Sequence, residues 1–365
     1  MPATYRIGVI GHTGRGNYGH GIDTVWLEMP DTEIVGVADA QEAGLKSAAA
    51  RLKAPAAYAD YRKLLDEQKP DIVSICPRWL DQHREMVLEA AQRGIHIYME
   101  KPFCRTLAEA DEIVAACQKH KIKLAVAHQT RYSPKMQVIR DLIYDGKIGE
   151  VLELRGRGKE DRRGGGEDLW VLGSHIMNLI HHLGGEPRWC FAVVQQDGRP
   201  LNKQDVAEGA EGIGPLAGDT VHAMYQLDDG VMASFDSCRD TAGGRFGMQI
   251  LGSKGMLDLT TGFLPPVNYL GDPSWSPGRS GKKWIPVSSA GIGEPEPLDA
   301  SGHTAGNLAA CRDLIAAIEE DRLPECSMYE ARTTVEMIAA VFESQRQGRP
   351  VAVPLKNREN PLTLL

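Results

Sequence analysis

The sequence predicts an α/β protein: an N-terminal Rossmann-type, doubly wound parallel sheet followed by a second α/β domain on a larger sheet. Three observations predict it. The chain has 365 residues, more than one hydrophobic core usually organises. From Arg6 to about Ala127, short β-rich runs alternate with helical periodicity, the pattern of βαβ units and a mostly parallel sheet. After residue 128, consecutive strand-like runs are joined by short turns, which points to a mixed or antiparallel sheet.

In the first half the strand candidates are Arg6–Ile10, Glu33–Ala38, Asp71–Ile75, Ile95–Met99 and Lys123–Ala127. Asp81–Arg93 and Thr106–His120 read as helices, the latter opened by a capping box with Thr106 at the cap and Glu109 three residues on. In the second half a helix is expected from Pro134 to Asp145, an extended run at Gly149–Arg157, and a single helix over Asp168–Leu183. Strands follow at Trp189–Gln195, Thr220–Leu227, Val231–Cys238, Phe246–Leu251 and Met256–Thr260, with Asp228-Asp229-Gly230 as a hairpin turn. Tyr269–Ser301, rich in Gly, Pro and Ser, reads as a long ordered loop. Helices over Ala305–Asp321 and Tyr329–Arg346 precede a last strand at Val351–Pro354.

Composition narrows the function. The chain is 42% hydrophobic and 25% charged, with 41 basic against 49 acidic residues and a net charge of −8. An acidic balance argues against a general nucleic-acid binder, which needs a basic surface to meet phosphates. No apolar run is long enough to span a bilayer, and Met1–Thr4 lead straight into a strand without a leader-like segment. Neither a nucleic acid nor a membrane is expected as partner, and the expected compartment is the cytoplasm. Seven scattered cysteines with no Cys-x-x-Cys pair are expected to be reduced thiols.

The first strand ends at Gly11, in Gly11-His12-Thr13-Gly14-Arg15-Gly16-Asn17-Tyr18-Gly19. Two glycine registers compete: Gly14-x-Gly16-x-x-Gly19, and Gly11-x-Thr13-x-x-Gly16, which starts directly off the strand and is preferred for that reason. Gly11, Thr13, Gly14, Arg15 and Gly16 are thus expected to hold a pyrophosphate, with backbone N–H groups presented at a helix N-terminus. The second strand ends at Asp39, whose carboxylate suits the hydroxyls of an adenosine ribose and repels a 2′-phosphate. NAD is therefore expected in preference to NADP.

From Glu100-Lys101-Pro102 onward the chain resembles the glucose–fructose oxidoreductase, inositol dehydrogenase and MocA (Gfo/Idh/MocA) family. Further matching blocks are Val126–Pro134, Leu142–Val151, Leu251–Gly255 and the tail from Ser344 to Val351. The resemblance implies an NAD(P)-binding Rossmann domain over residues 1–128. It also implies a substrate-binding and oligomerisation domain over 129–365, with a large open, mostly antiparallel sheet, and a homodimer or homotetramer. It further implies a small carbohydrate-like substrate. Lys101 would contact a substrate hydroxyl and the nicotinamide region, with Glu100 beside it and Pro77 shaping a cofactor-facing turn. His175, in Gly173-Ser174-His175, would be the second catalytic residue. The family pairs that histidine with an aspartate four residues earlier, where this chain has Val171, and a later family aspartate is Asn178.

Asp168, two helical turns before His175, is a candidate for touching substrate. Arg157, Lys159 and Arg162, in a locally basic run, are candidates for gripping sugar hydroxyls or a carboxylate. His128 and Arg131 follow the last strand of the first domain, at the end where α/β ligands sit. His175, His181 and His182 lack the His-x-x-x-His spacing, so no metal is assigned. The expected activity is NAD-dependent hydride transfer between a nicotinamide and a carbohydrate or polyol carbon, with Lys101 and His175 handling the hydroxyl proton. The alternatives are an NAD-retaining enzyme that cleaves glycosides by transient oxidation and elimination, and a non-catalytic NAD-binding regulator.

Overall fold

The computed structural model describes residues 4–241, 245–299 and 302–365. These fall into two compact units. Residues 4–129, 210–214 and 303–332 make the first; residues 130–209, 215–299 (without 242–244), 302 and 333–365 make the second. Packing thus adds residues 303–332 to the first unit, a membership that local sequence pattern does not carry.

The first unit is a six-stranded parallel sheet: β1 (Tyr5–Ile10), β2 (Thr32–Ala38), β3 (Ala57–Tyr58), β4 (Ile72–Ile75), β5 (His96–Met99) and β6 (Leu124–Val126). The order is β3-β2-β1-β4-β5-β6, the doubly wound arrangement that reverses direction between β1 and β4. Ile7, Val9, Val37, Ile72, Val73, Ile75, Ile97 and Leu124 are completely buried, as strands covered on both faces require. Helices α1 (Glu42–Leu52), α2 (Tyr61–Gln68), α3 (His83–Gln92) and α4 (Leu107–His120) connect them. Thr106 caps α4 by accepting the Glu109 N–H, as its spacing predicts.

One expected element is absent. No α-helix follows β1; residues 11–24 form successive turns, and only a four-residue 3-10 helix, Val25–Glu28, precedes β2. Gly14, Gly16, Gly19 and Gly21 all have positive φ, which interrupts a right-handed helix at every turn.

The second unit starts with α5 (Pro134–Tyr144) and β7 (Val151–Arg157). The helix expected over 168–183 is two helices, α6 (Gly166–Val171) and α7 (Gly173–Gly184), separated at Leu172. Then come β8 (Pro187–Gln196), β9 (Arg199–Pro200), β10 (Ala207–Glu208), β11 (Pro215–Leu216), β12 (Thr220–Leu227), β13 (Met232–Cys238), β14 (Gly247–Gly252), β15 (Met256–Thr260) and β16 (Val267–Leu270). The expected long loop after Tyr269 contains a short helix α8 (Pro277–Ser280) and two further strands, β17 (Ile285–Ser288) and the edge strand β18 (Gly291–Ile292). Its end, Ala300 and Ser301, lies outside the described residues. The helices α9 (Gly302–Glu319) and α10 (Met328–Gln347) precede β19 (Val351–Ala352).

Eleven of these strands form one sheet in the order β18-β17-β16-β15-β14-β7-β13-β12-β8-β19, with β9 pairing β8. Among the described residues of this sheet only β7 and β13 pair in parallel. Alternation sets the two faces: Leu154, Val221, Tyr225 and Phe235 are fully buried on one, and each such residue contributes about 1.5–3 kcal/mol of burial. Registered neighbours Phe191, Met224, Ser234 and Arg155 lie on the other. Among the described residues no helix is long and apolar enough to cross a membrane.

Candidate active site

In the first unit, the turn after β1 folds onto the ends of β2 and β4. Gly11 admits the Tyr18 ring, which would stand 2.2 Å from any Cβ there. The Gly16 turn rests on the backbone of Arg78 and Trp79, just after Pro77; a Cβ would lie 2.3 Å from the Arg78 nitrogen. Arg15 pairs with Asp81, and its guanidinium stacks 4.7 Å from the Trp79 ring centroid.

The N–H groups of Thr13, Gly14 and Arg15, expected to face a pyrophosphate, are spent inside the turn. His12 N–H donates to the Asn17 carbonyl, Thr13 N–H to Asp39, Gly14 N–H to Asn17 Oδ1, and the Arg15 and Asn17 N–H groups to the His12 carbonyl. The physical reason is the missing helix: without one, the backbone satisfies its donors locally.

Asp39 is 2% exposed. Its carboxylate accepts from the Thr13 hydroxyl (2.7 Å), the Gln41 N–H (2.9 Å) and the Tyr18 hydroxyl (2.9 Å). Burial opposes its ionisation, but these hydrogen bonds outweigh burial and hold the carboxyl below the usual range. A cavity of about 210 Å³ opens at the ends of β1 and β2, lined by Gly11, His12, Asp39, Asp60, Tyr61 and Gln82. An ionised carboxylate on the wall of a cavity at the carboxyl ends of parallel strands fits an adenosine ribose.

Glu100 and Lys101 follow β5, and both are buried. His83 anchors this turn: its Nε2 lies 2.7 Å from the Pro77 carbonyl and its Nδ1 3.0 Å from that of Pro102. Glu100 receives hydrogen bonds from the backbone N–H groups of His20 (2.9 Å) and Lys101 (3.0 Å). Gly19 permits this approach, since a Cβ there would lie 2.5 Å from the Glu100 carboxylate. Around it stand His20, His303, Gln129 and Asn307, none of which the sequence reading singled out. His128 is 2% exposed beyond the end of β6.

In the second unit, Asp168 is fully buried in α6. Its Oδ2 accepts from the Ser237 hydroxyl at 2.6 Å and the Glu160 N–H at 3.1 Å, clamping the 158–166 turn. Arg157 pairs with buried Glu160 at 2.8 Å and Lys159 with Asp161 at 3.5 Å, while Arg162 is exposed. His175, in the first turn of α7, meets the Phe246 ring edge-on at 6.2 Å between centroids. Val171 is the last residue of α6, so the break at Leu172 separates it from the helix bearing His175. Arg131 is buried and its charge bears on His182. No group of three or more His, Cys, Asp or Glu able to hold a metal occurs among the described residues.

A doubly wound parallel sheet with a buried carboxylate directly after its second strand has the form of a dinucleotide-binding unit. The chain belongs to the Gfo/Idh/MocA family: residues 5–128 match the model "Oxidoreductase family, NAD-binding Rossmann fold" and residues 140–353 the model "Oxidoreductase family, C-terminal alpha/beta domain". It is 24% identical to the D-apiose dehydrogenase of Paraburkholderia graminis, over 92% of this chain and 87% of that one. It is 23% identical to the myo-inositol 2-dehydrogenase of Thermotoga maritima, over 69% and 74% respectively. A solved levoglucosan dehydrogenase in complex with NADH and L-sorbose superposes with a TM-score of 0.78 at 22% identity, covering 96% of this chain and 99% of that one.

Proposed function

We propose that this protein is an NAD-dependent dehydrogenase that moves hydride between the nicotinamide and a carbohydrate or polyol carbon. The observation that carries the reading is the coexistence, in one doubly wound unit, of the Asp39-walled cavity and the buried Lys101 that ends β5. The relatives named above, dehydrogenases of apiose and inositol, support the substrate class. Bound NAD supplies the hydride acceptor. Asp39 selects it by bonding the ribose hydroxyls and disfavouring a 2′-phosphate. Lys101 orients the substrate hydroxyl and takes part in its deprotonation, with His175 as the second group handling that proton. In the same proposal Gly11, Thr13, Gly14, Arg15 and Gly16 contribute to cofactor binding by shaping the turn beneath Asp39 rather than through the N–H groups spent inside it. Pro77 and Glu100 contribute on the cofactor side, and His128, Arg131, Arg157, Lys159, Arg162 and Asp168 on the substrate side. The test is absorbance in the reduced-nicotinamide band with NAD and a polyol panel; a substrate-dependent rise is expected, and no rise with any member contradicts the reading.

The open sheet face supports a homo-oligomer. It exposes Val193 (37%), Met224 (41%) and Trp284 (36%) around a cavity of about 620 Å³ that is also lined by Arg155, Arg157 and Asp236. Apolar side chains grouped on one face favour cover by a second copy of the chain. Light scattering on wild type and Met224→Glu tests this, with a smaller species expected from the variant.

A further inference from the structure

Within the first unit, Glu100 does more than precede Lys101. It is 1% exposed, and its Oε1 lies 2.6 Å from Nδ1 of His20. Burial works against its charge, but the His20 hydrogen bond, the His20 charge and Lys101 together hold it below the ordinary range. A carboxylate can only accept, so Nδ1 of His20 carries the proton and Nε2 is left as the basic nitrogen. The same carboxylate orientation of an imidazole underlies general-base catalysis wherever the dyad occurs.

A second imidazole stands beside the first: the rings of His20 and His303 are 5.0 Å apart. Its tautomer is set in the same way. The Gln129 amide donates through Nε2 to Asn307 Oδ1 (2.9 Å), so its Oε1 faces His303 Nδ1 at 3.0 Å and requires a hydrogen there. Asn307 in turn accepts from the Tyr98 hydroxyl (2.8 Å) and donates to the His20 carbonyl (3.0 Å), fixing the loop that carries His20. The charge of Lys101 acts on both Glu100 and His303. One-third of the His20 side chain reaches solvent.

We propose that His20, oriented by Glu100, accepts the proton released at Lys101 and delivers it to solvent, with His303 as the adjoining imidazole. The inference rests on the dehydrogenase reading. In the oxidation, the C–H electron pair leaves as hydride to the oxidised nicotinamide and the C–O bond becomes C=O. Lys101 passes a proton from its ammonium to Nε2 of His20 and takes the O–H proton in its place, and His20 gives its extra proton to water, which returns both groups to their starting states.

The test uses the NAD-saturated full chain. His20→Asn keeps a donor for Glu100 but has no basic nitrogen. It is expected to lower kcat by about 10²–10⁴-fold with NAD affinity unchanged by calorimetry, to lose one limb of the pH–kcat profile, and to regain turnover with added imidazole. Glu100 and His303 face His20, and the Lys101 charge acts on both, so His303→Asn serves as the comparison for the limb. Independently of substrate, and of how His20→Asn folds, nitrogen-15 spectra of wild type are expected to show the Nδ1–H tautomer at His20. Wild-type turnover with His20→Asn equally active and equally pH-dependent overturns this inference alone, as does an Nε2–H tautomer. A wild-type protein that binds NAD but oxidises no polyol overturns the dehydrogenase reading and this inference together.

Discussion

The Tyr18 hydroxyl donates to Oδ2 of Asp39 across 2.9 Å, and its ring occupies the space that the lack of a side chain at Gly11 leaves open. The acidic end of β2 is thereby held ionised at the cavity wall by the loop that precedes it in sequence.

Cofactor choice should follow from that carboxylate. Asp39→Ala removes the ribose acceptor and the repulsion of a 2′-phosphate. The expected result is weaker NAD binding and at least about a tenfold fall in the preference for NAD over NADP, the scale of one lost charged hydrogen bond. Calorimetry with both dinucleotides reads it, and an unchanged preference contradicts the assignment.

The turn beneath Asp39 should be sterically intolerant. Gly11→Ala places a methyl 2.2 Å from the Tyr18 ring, so the ring must leave. A loss of about 1–3 kcal/mol is expected, read as a lower urea midpoint.

Asp168 predicts an unusual pH response. Burial raises its pKa, against the lowering effect of the Ser237 hydroxyl and the Glu160 N–H. A raised folded-state value means the group stabilises the fold most below the unfolded pKa and less as pH climbs through the folded one. Asp168→Asn should therefore flatten the stability profile above pH 4. Asp168→Ala, which empties the position and orphans two donors, should cost about 3 kcal/mol at pH 7. Urea unfolding across that range distinguishes them.

His182 predicts the opposite slope. Burial, then the charges of Arg131 and Arg140, push its pKa down to about 3, and Arg140 lies 3.5 Å from its Nε2. Folding keeps this imidazole neutral while the unfolded chain protonates it below about pH 6.5. Its contribution is complete above that value and drains away, by up to about 1.4 kcal/mol per pH unit, as pH falls toward 3. His182→Gln should reduce the acid slope between pH 6 and 4; an identical slope contradicts the buried neutral state.

The sequence made the parallel sheet readable because strands buried on both faces are short apolar runs, as in Ile72–Ile75, bounded by polar turns. The antiparallel strands were readable for a different reason: β12 and β13 alternate strictly and meet at a short turn. Asp39 was legible from its place at a strand end. The turns at 11–24 were not, because a glycine fingerprint after a strand ordinarily opens a helix, and only the run of positive φ angles reveals otherwise. Nor was the break at Leu172, since Trp170, Val171 and Ile176 continue an apolar helical pattern through it. The His20–Glu100 pair spans 80 residues and His303–Gln129 spans 174. Contacts of that range leave no periodic trace; the nearest signal was Gly19, beside which a carboxylate comes close.

Lys101 is where the account is most exposed. Stopped-flow absorbance in the reduced-nicotinamide band, with NAD-loaded protein and a set of polyols and sugars, should show a rise for wild type. Lys101→Met should slow that rise by about 10²–10⁴-fold at saturating NAD. A Lys101→Met protein that reduces NAD at the wild-type rate would contradict the central claim.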